Sequence, residues 1–397
     1  MRVLLSSTRG AGHLQPLLPY AQALRAHGHQ VLVAAPAEVG ETLRDAKLEH
    51  APFGHPGDET LAPIWARFRQ VPADEINVIA LRDIFAGVNA TAALPKLTET
   101  IDAWRPDLVV RESAEFAAAV AAERAGVPQA RVAVHMVSFE DMFPPLIAEP
   151  MDNLRRGVGL PPDGAAFLRT EPVFSAFPAS LDDPPAPDAG APMPVPFRVG
   201  TPDEAPASQA RTTPVATPLW AAAGDSRPLV YVTFGTIAAS SPGFRAIYRT
   251  ALDAIAGLPV RALLTTGRGL DGGTLGTIPA NVHVEEWVPQ RDVLARAAAL
   301  ICHAGSGTVR GALAAGVPMV AVPLFADQPH NARRVAAVGA GIALPAPDAA
   351  GLRAALQRVL AEADYGRGAR RIADEIAALP SIDAAVAALV AIASASR

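Results

Sequence analysis

The chain has 397 residues, half of them apolar and 18% charged, enough for two domains that each bury a core. Its 34 basic and 39 acidic residues give a formal charge of −5 with neither sign in a long block, which argues against a nucleic acid or an anionic membrane as partner. Cys302 is the sole cysteine, so an intrachain disulfide and a cysteine-rich zinc site are excluded.

The N-terminus runs straight into an apolar segment, Val3-Leu4-Leu5, without the charged region, apolar region and cleavage site of a signal peptide. The most apolar stretches, Gly316 to Ala326 and Ala384 to Ala393, are shorter than the roughly 18 residues of a membrane helix. A soluble, cytoplasmic protein is the expectation. Arg2 to Leu5 and Gln30 to Ala34 read as strands, and between them Leu14, Leu17, Leu18, Ala21 and Leu24 recur at helical spacing, completing one βαβ unit. Residues 36 to 100 are less regular. Asp107 to Val110 and Ala130 to Val134 read as buried strands around an alanine-rich helix from about Ala114 to Ala125, which Gly126-Val127-Pro128 stops.

From Pro144 to Pro218 the chain is rich in proline, including Asp183-Pro184-Pro185-Ala186-Pro187 and Pro192-Met193-Pro194-Val195-Pro196. Such a stretch is expected to give a linker and surface loops and no helical core. Leu229 to Phe234, Arg261 to Thr265, Val282 to Val284, Ala299 to Cys302 and Met319 to Val322 then read as strands of a second series with helices between them. The alternation predicts an α/β chain of two Rossmann-like, doubly wound domains.

His303-Ala304-Gly305-Ser306-Gly307-Thr308 follows one of these strands directly and precedes a helix, Val309 to Ala315. A strand ending in small residues that open a helix gathers backbone N–H groups and the positive end of a helix dipole, where phosphate binds readily. The same turn also occurs as a purely structural connection. Neither a Gly-Lys-Ser/Thr phosphate loop nor G-x-G-x-x-G after the first strand is present, which argues against an ATPase and a dinucleotide oxidoreductase. Upstream, Trp287-Val288-Pro289-Gln290 places an indole beside a turn, where it can stack on a nucleobase. Downstream, the strand from Pro318 ends at Asp327-Gln328, a carboxylate and an amide suited to sugar hydroxyls.

The run from Trp287 to Gln328 resembles the nucleotide-sugar signature of family 1 glycosyltransferases, most of all their actinobacterial natural-product (antibiotic) branch, and the resemblance extends over nearly the whole chain. It implies a GT-B fold, two Rossmann-like domains facing across a cleft: an acceptor domain at 1–205, a linker at 206–224, a donor domain at 225–379, and a C-terminal helix at about 380–397, with Ile382 to Ile392 as its apolar pattern, packing back on the first domain. By that resemblance Trp287, with Val288 and Gln290, holds the base, His303, Gly305, Ser306, Gly307 and Thr308 hold the diphosphate, and Asp327 and Gln328 bind the sugar. Gly235, Thr236 and Gly12 complete the donor set. Relatives that use UDP-sugars often carry a ribose-binding glutamate eight residues after the phosphate histidine; Gly311 stands here, which favours a dTDP-sugar, and a deoxysugar, over a UDP-sugar. The nucleotide sugar is a co-substrate, and no cofactor is implied.

The same resemblance makes His13, in Gly10-Ala11-Gly12-His13, the general base of an inverting displacement, a role for which histidine titrates in the right range. Glu112 occupies the place where many relatives carry the aspartate of a His–Asp dyad. Being longer by a methylene, it is equally a candidate for acceptor contact or a solvated strand-end charge. Asp107 reads as the start of a strand, and His27, His29, His50 and His55 read as surface or loop residues. Trp65, Phe68, Phe85, Met136, Phe139 and Phe143 are candidates to line a pocket for a small polyketide or aromatic aglycone. The chain has no Asp-x-Asp pair, in keeping with metal independence. Alternatives are a noncatalytic GT-B-like partner of another glycosyltransferase, a nucleotide-sugar epimerase and a lipid-intermediate transferase; the sequence leaves a homodimer open.

Overall fold

The computed structural model describes residues 1–68, 70, 71, 73–183, 193–198, 225–236, 238, 242–267, 270 and 275–395. The expected linker at 206–224 and the prolines at 184, 185, 187 and 192 lie outside the described residues. The chain divides into two compact units, Met1–Ala210 with Leu379–Arg397, and Arg211–Ala378.

In the first unit seven strands run parallel: β1 (Arg2–Ser6), β2 (Gln30–Pro36), β3 (Glu49–Phe53), β4 (Leu108–Glu112), β5 (Gln129–Val132), β6 (Val173–Ser175) and β7 (Val195–Pro196), in the order β3-β2-β1-β4-β5-β6-β7. Val3, Leu4 and Leu5 pair with Val31, Leu32 and Val33 on one side and with Leu108, Val109 and Val110 on the other. The middle of β1, Val3-Leu4-Leu5, is an unbroken apolar run because both its faces are covered. Val3 and Leu5 face Leu24 of helix Leu18–Ala26 and Val386 and Leu389 of helix Ile382–Ala395, whereas Leu4 faces Leu97, Phe116 and Met151 on the opposite side. Each such side chain, fully buried, contributes on the order of 2 kcal/mol.

The stretch after residue 36 holds more order than its sequence suggests. Glu49-His50-Ala51-Pro52-Phe53 forms the edge strand β3, where the missing N–H of Pro52 is tolerated. His50, expected in a loop, lies within this strand, its ring Nε2 at 2.9 Å from the Ala35 carbonyl. Helices Asp58–Phe68 and Ala73–Ile79, the π-helical segment Ala80–Asn89 and helix Ala90–Trp104 follow. Glu75–Trp104 is by length and composition apolar enough to cross a membrane, unlike the shorter stretches picked out in the sequence. Here it turns Leu81, Ile84, Leu94 and Leu97 into the core.

A second correction concerns the prolines. Phe143–Gly157 is a helix that buries Phe143, Ile147, Met151 and Leu154, inside the stretch expected to lack a helical core. Pro144 and Pro145 fall in its first turn, where no intrahelical N–H bond is needed, and Pro150 is accommodated further on.

The second unit has six parallel strands, β8 (Leu229–Thr233), β9 (Arg261–Thr265), β10 (Val282–Glu285), β11 (Ala299–Cys302), β12 (Met319–Ala321) and β13 (Gly341–Ala343), in the order β10-β9-β8-β11-β12-β13. Val230, Val232, Leu264 and Ile301 pack against Tyr248 and Leu252 of helix Ala246–Ile255 and against Leu352 and Leu356 of helix Ala349–Ala361. In each unit the strand order reverses beside the first strand, between β1 and β4 and between β8 and β11. Ligands of doubly wound sheets gather outside the carboxyl ends of strands at such points.

Candidate active site

β1 leads through Ser7 and Thr8 to the short helix Ala11–Leu14, which carries His13, and β4 ends on Glu112. The two strands at the reversal therefore deliver both groups, and the structure brings them together: His13 Nδ1 donates to Glu112 Oε2 at 3.0 Å. Glu112 is wholly buried. The Thr8 N–H and hydroxyl donate to its Oε1 at 3.2 and 2.9 Å, and the Ala114 N–H donates to Oε2 at 2.8 Å. Burial alone would raise the carboxyl pKa, but His13 and the N–H donors of Ala114 and Thr8 outweigh it and hold the group at about 2. An ionised carboxylate only accepts, so the proton sits on Nδ1 and the lone pair on Nε2 of His13. An imidazole fixed in this way can take a proton and has its charged form stabilised. Asp107 lies just ahead of β4 and accepts from the Arg2 N–H at 2.7 Å, which ties the strand starts together.

Of the apolar candidates, Phe85 lies on the π-helical segment with its ring centroid 5.2 Å from that of His13. Phe139 and Phe143 pack edge to face at 5.7 Å. Trp65 and Phe68 pair at 4.8 Å on helix Asp58–Phe68, with Trp65 47% exposed. Met136 is fully buried, so it belongs to the core and offers an acceptor no surface, a correction to the sequence expectation. Gly12 is exposed on the helix that carries His13. The sequence reading passed over His135, which follows β5: its ring centroid is 6.3 Å from that of His13, and its Nδ1 lies 3.3 Å from Oε1 of the buried Glu140.

In the second unit, His303 directly follows β11, and Ala304, at φ +63°, turns the chain into helix Ser306–Ala314. No side chain caps this helix. Its first N–H groups, those of Ser306, Gly307 and Thr308, are the donors a helix start leaves without intrahelical partners, and the dipole favours an anion there. Gly305 and Gly235, the latter just after β8 at φ +79°, flank the His303 ring. A Cβ added at either would stand 2.5 or 2.8 Å from His303 Nε2. Burial lowers the pKa of His303 to about 4 against the opposing pull of Asp327, so the imidazole is neutral at working pH. Its Nδ1 is buried without a hydrogen-bond partner. A neutral donor edge beside an uncapped helix start fits the oxygens of a diphosphate.

Trp287 stands 46% exposed after β10, with Val288 half-buried behind it, and Thr236 is exposed beyond Gly235. Gln290 opens helix Gln290–Leu294 and donates from Nε2 to the Thr308 hydroxyl at 3.4 Å. A Cβ at Gly311 would lie 3.3 Å from Gln290 Oε1 and 3.4 Å from a Leu294 methyl, so a glutamate there would crowd both. Asp327 and Gln328 are buried at the start of helix Gln328–Ala337. Oδ2 of Asp327 accepts from Ser306 Oγ and from Asn331 Nδ2, each at 2.6 Å, and Oε1 of Gln328 accepts from the N–H groups of Leu324 and Phe325 at 2.8 and 3.0 Å. Among the described residues no hydrogen bond reaches Asp327 Oδ1 or the Gln328 amide nitrogen. Asn331, which also donates to the Ala304 carbonyl at 2.9 Å, escaped the sequence reading; its signal was the i, i+4 spacing from Asp327. Among the described residues no group of three His, Cys, Asp or Glu could hold a metal ion.

Residues 22–144 match the N-terminal domain, and residues 251–392 the C-terminal domain, of the family described as Erythromycin biosynthesis protein CIII-like. The chain is 33% identical over 387 residues to the L-demethylnoviosyl transferase of Streptomyces niveus, covering 96% of this chain and 95% of that one. It is 30% identical over 426 residues to the TDP-daunosamine transferase DnrS of Streptomyces peucetius, with 98% and 96% covered. The crystal structure of the glycosyltransferase SnogD from Streptomyces nogalater shares 27% identity and 99% of each chain, with a TM-score of 0.76. The parallel sheets, the loops at their reversals and these likenesses agree: the chain belongs to the erythromycin CIII-like family of antibiotic-biosynthesis glycosyltransferases, which has the GT-B fold.

Proposed function

We propose that this protein is an inverting, metal-independent glycosyltransferase that moves a deoxysugar from a dTDP-sugar to a hydroxyl of an apolar natural-product aglycone. The observation that carries the reading is the 3.0 Å bond from His13 Nδ1 to the buried Glu112 carboxylate, which leaves Nε2 as a base. The acceptor oxygen attacks the anomeric carbon, its proton passes to His13 Nε2, and the bond from that carbon to the diphosphate oxygen breaks. The leaving group departs with the electron pair. Its growing charge is met by the N–H groups of Ser306, Gly307 and Thr308 and by His303, donors already in place. Trp287 stacks on the base, and Asp327 with Gln328 takes the sugar hydroxyls. One displacement inverts the anomeric configuration.

The preference for dTDP rests on Gly311: no carboxylate is there to reward a ribose 2′-hydroxyl, and Gln290 and Leu294 leave little space for one. The name TDP-daunosamine transferase of a relative points the same way. His13→Ala is expected to lower the transfer rate by about 10²–10⁴-fold while dTDP binding, measured by isothermal titration, stays as in the native protein. Native turnover in that variant would refute the base. A strong preference for UDP over dTDP in the same titration would remove the argument from Gly311.

A further inference from the structure

His135 sits at the carboxyl end of β5, two strands from β1, in a setting that repeats the one around His13. Its Nδ1 lies 3.3 Å from Oε1 of Glu140, a carboxylate with no exposed surface. The Ser113 hydroxyl donates to the same oxygen, as do the Val134 and His135 N–H groups at 3.2 and 3.1 Å, and Arg131 donates to Oε2 at 2.9 Å. Burial would raise the Glu140 pKa, but Arg131, His135 and Ser113 overcome it and lower the value, so this carboxylate also is an anion that only accepts. Ser113, which donates to Glu140, is next in sequence to Glu112 at the end of β4.

The consequence for the imidazole is the same as at His13: the proton is drawn to Nδ1 and the lone pair lies on Nε2. The two side chains keep the same 19% exposure, their ring centroids are 6.3 Å apart and their planes nearly perpendicular. Aromatic rings pack on both: Phe85 against His13 at 5.2 Å, and Phe139 and Phe143 against His135 at 5.5 and 6.0 Å. A purely structural histidine would not need a second buried carboxylate to set its tautomer while keeping part of its ring open.

We propose that His135 is a specificity-determining residue that binds a second oxygen of the acceptor, adjacent to the one His13 deprotonates. This rests on the reading of His13 as the acceptor's base. With hydrogen bonds of about 2.8 Å from each ring, two imidazoles at this separation reach oxygens on adjacent or next-but-one carbons. The acceptor class is therefore an apolar ring system with a vicinal or 1,3 pair of hydroxyls, since a lone pair on each Nε2 takes a hydrogen bond only from an O–H. The partly buried Phe85 supplies an apolar wall beside the polar pair, and Phe139 and Phe143, buried in the core, hold the His135 ring in place.

The test is binding without donor, by isothermal titration, of a matched pair of probes, naphthalene-2,3-diol and 2-naphthol. The native protein is expected to hold the diol about tenfold more tightly, the worth of one net hydrogen bond. In His135→Phe this preference should vanish with 2-naphthol affinity unchanged, and His135→Gln, which keeps a polar group, should restore part of it. Circular dichroism melts confirm that both variants are folded. No diol preference in the native protein, or a preference that survives in His135→Phe, overturns the inference. Because no transfer is measured, the outcome is separate from that of His13→Ala: loss of the diol preference together with native turnover of His13→Ala would refute the base and keep the second oxygen site.

Discussion

Glu112→Gln is the sharpest probe of the His13 site, because it changes charge with little change in shape. The native carboxylate accepts four hydrogen bonds, from His13, the N–H and hydroxyl of Thr8, and the N–H of Ala114. A glutamine has one accepting oxygen. If that oxygen faces His13 and Ala114, the amide NH₂ meets the Thr8 hydroxyl, which can turn to accept, and the Thr8 N–H, which cannot. The tautomer of His13 survives, one buried donor is left against another, and the negative charge is lost. The fall of the Glu112 pKa from 4.5 to about 2 corresponds to about 3 kcal/mol in favour of the anion, His13 being the largest favourable contributor. If that interaction is made fully only once His13 has taken the proton, its loss lowers kcat about 100-fold. The unpaired Thr8 N–H costs a further 1–3 kcal/mol, roughly, of stability in the first unit, read as a lower Tm by circular dichroism. Initial rates with an acceptor found by mass spectrometric screening give kcat, and titration with dTDP gives donor affinity, which should be unchanged within about twofold since Glu112 is not among the residues proposed to hold the nucleotide. Turnover within threefold of native, with an unaltered pH profile, would show that Glu112 holds His13 in place without stabilising its charge.

Two predictions concern the donor unit. Gly305→Ala drives a methyl to 2.5 Å from His303 Nε2, so the ring must move and dTDP affinity should fall at least about tenfold; affinity equal to native would detach His303 from diphosphate binding. The pKa of His303 is about 4 in the folded protein against an ordinary 6.5, so the unfolded chain takes up the proton first as pH falls. Stability is therefore full above pH 6.5 and lost as pH drops toward 4, by at most about 3 kcal/mol, and His303→Gln should flatten Tm against pH in that window.

The strands were legible wherever both faces of a sheet cover them, because burial on both sides favours an apolar run: β1, β8, β9 and β11 read directly from Val3-Leu4-Leu5, Leu229 to Phe234, Arg261 to Thr265 and Ala299 to Cys302. β3 did not, since an edge strand pairs on one side only and can carry Glu49 and Pro52. Helix Phe143–Gly157 was hidden because proline is disallowed only where an N–H is needed, and the first turn needs none. The loop at His303 to Thr308 was visible through its small residues, which follow from close packing around one ring. His135 and Asn331 were not, because their partners, Glu140 and Asp327, are brought to them by the fold and a histidine or asparagine alone carries no directional signal.

Set side by side, the two units give one architecture two opposite electrostatic settings for a histidine. At the reversal of the first sheet, β4 supplies a carboxylate to the ring that leaves β1, and an imidazole with an anion behind it is prepared to gain charge. At the reversal of the second, the chain leaving β8 brings the Thr233 backbone and Gly235, and no carboxylate, to the ring that leaves β11, and a partly buried imidazole set between two glycines is prepared to stay neutral. The difference lies in the side chains on the neighbouring strand, Glu112 in one sheet and Gly235 in the other, and not in the topology, which is shared. On the proposed reading, the neutral ring donates without competing for a proton, and stabilisation of the departing diphosphate falls to the helix start at Ser306, whose N–H groups hold their orientation at every pH.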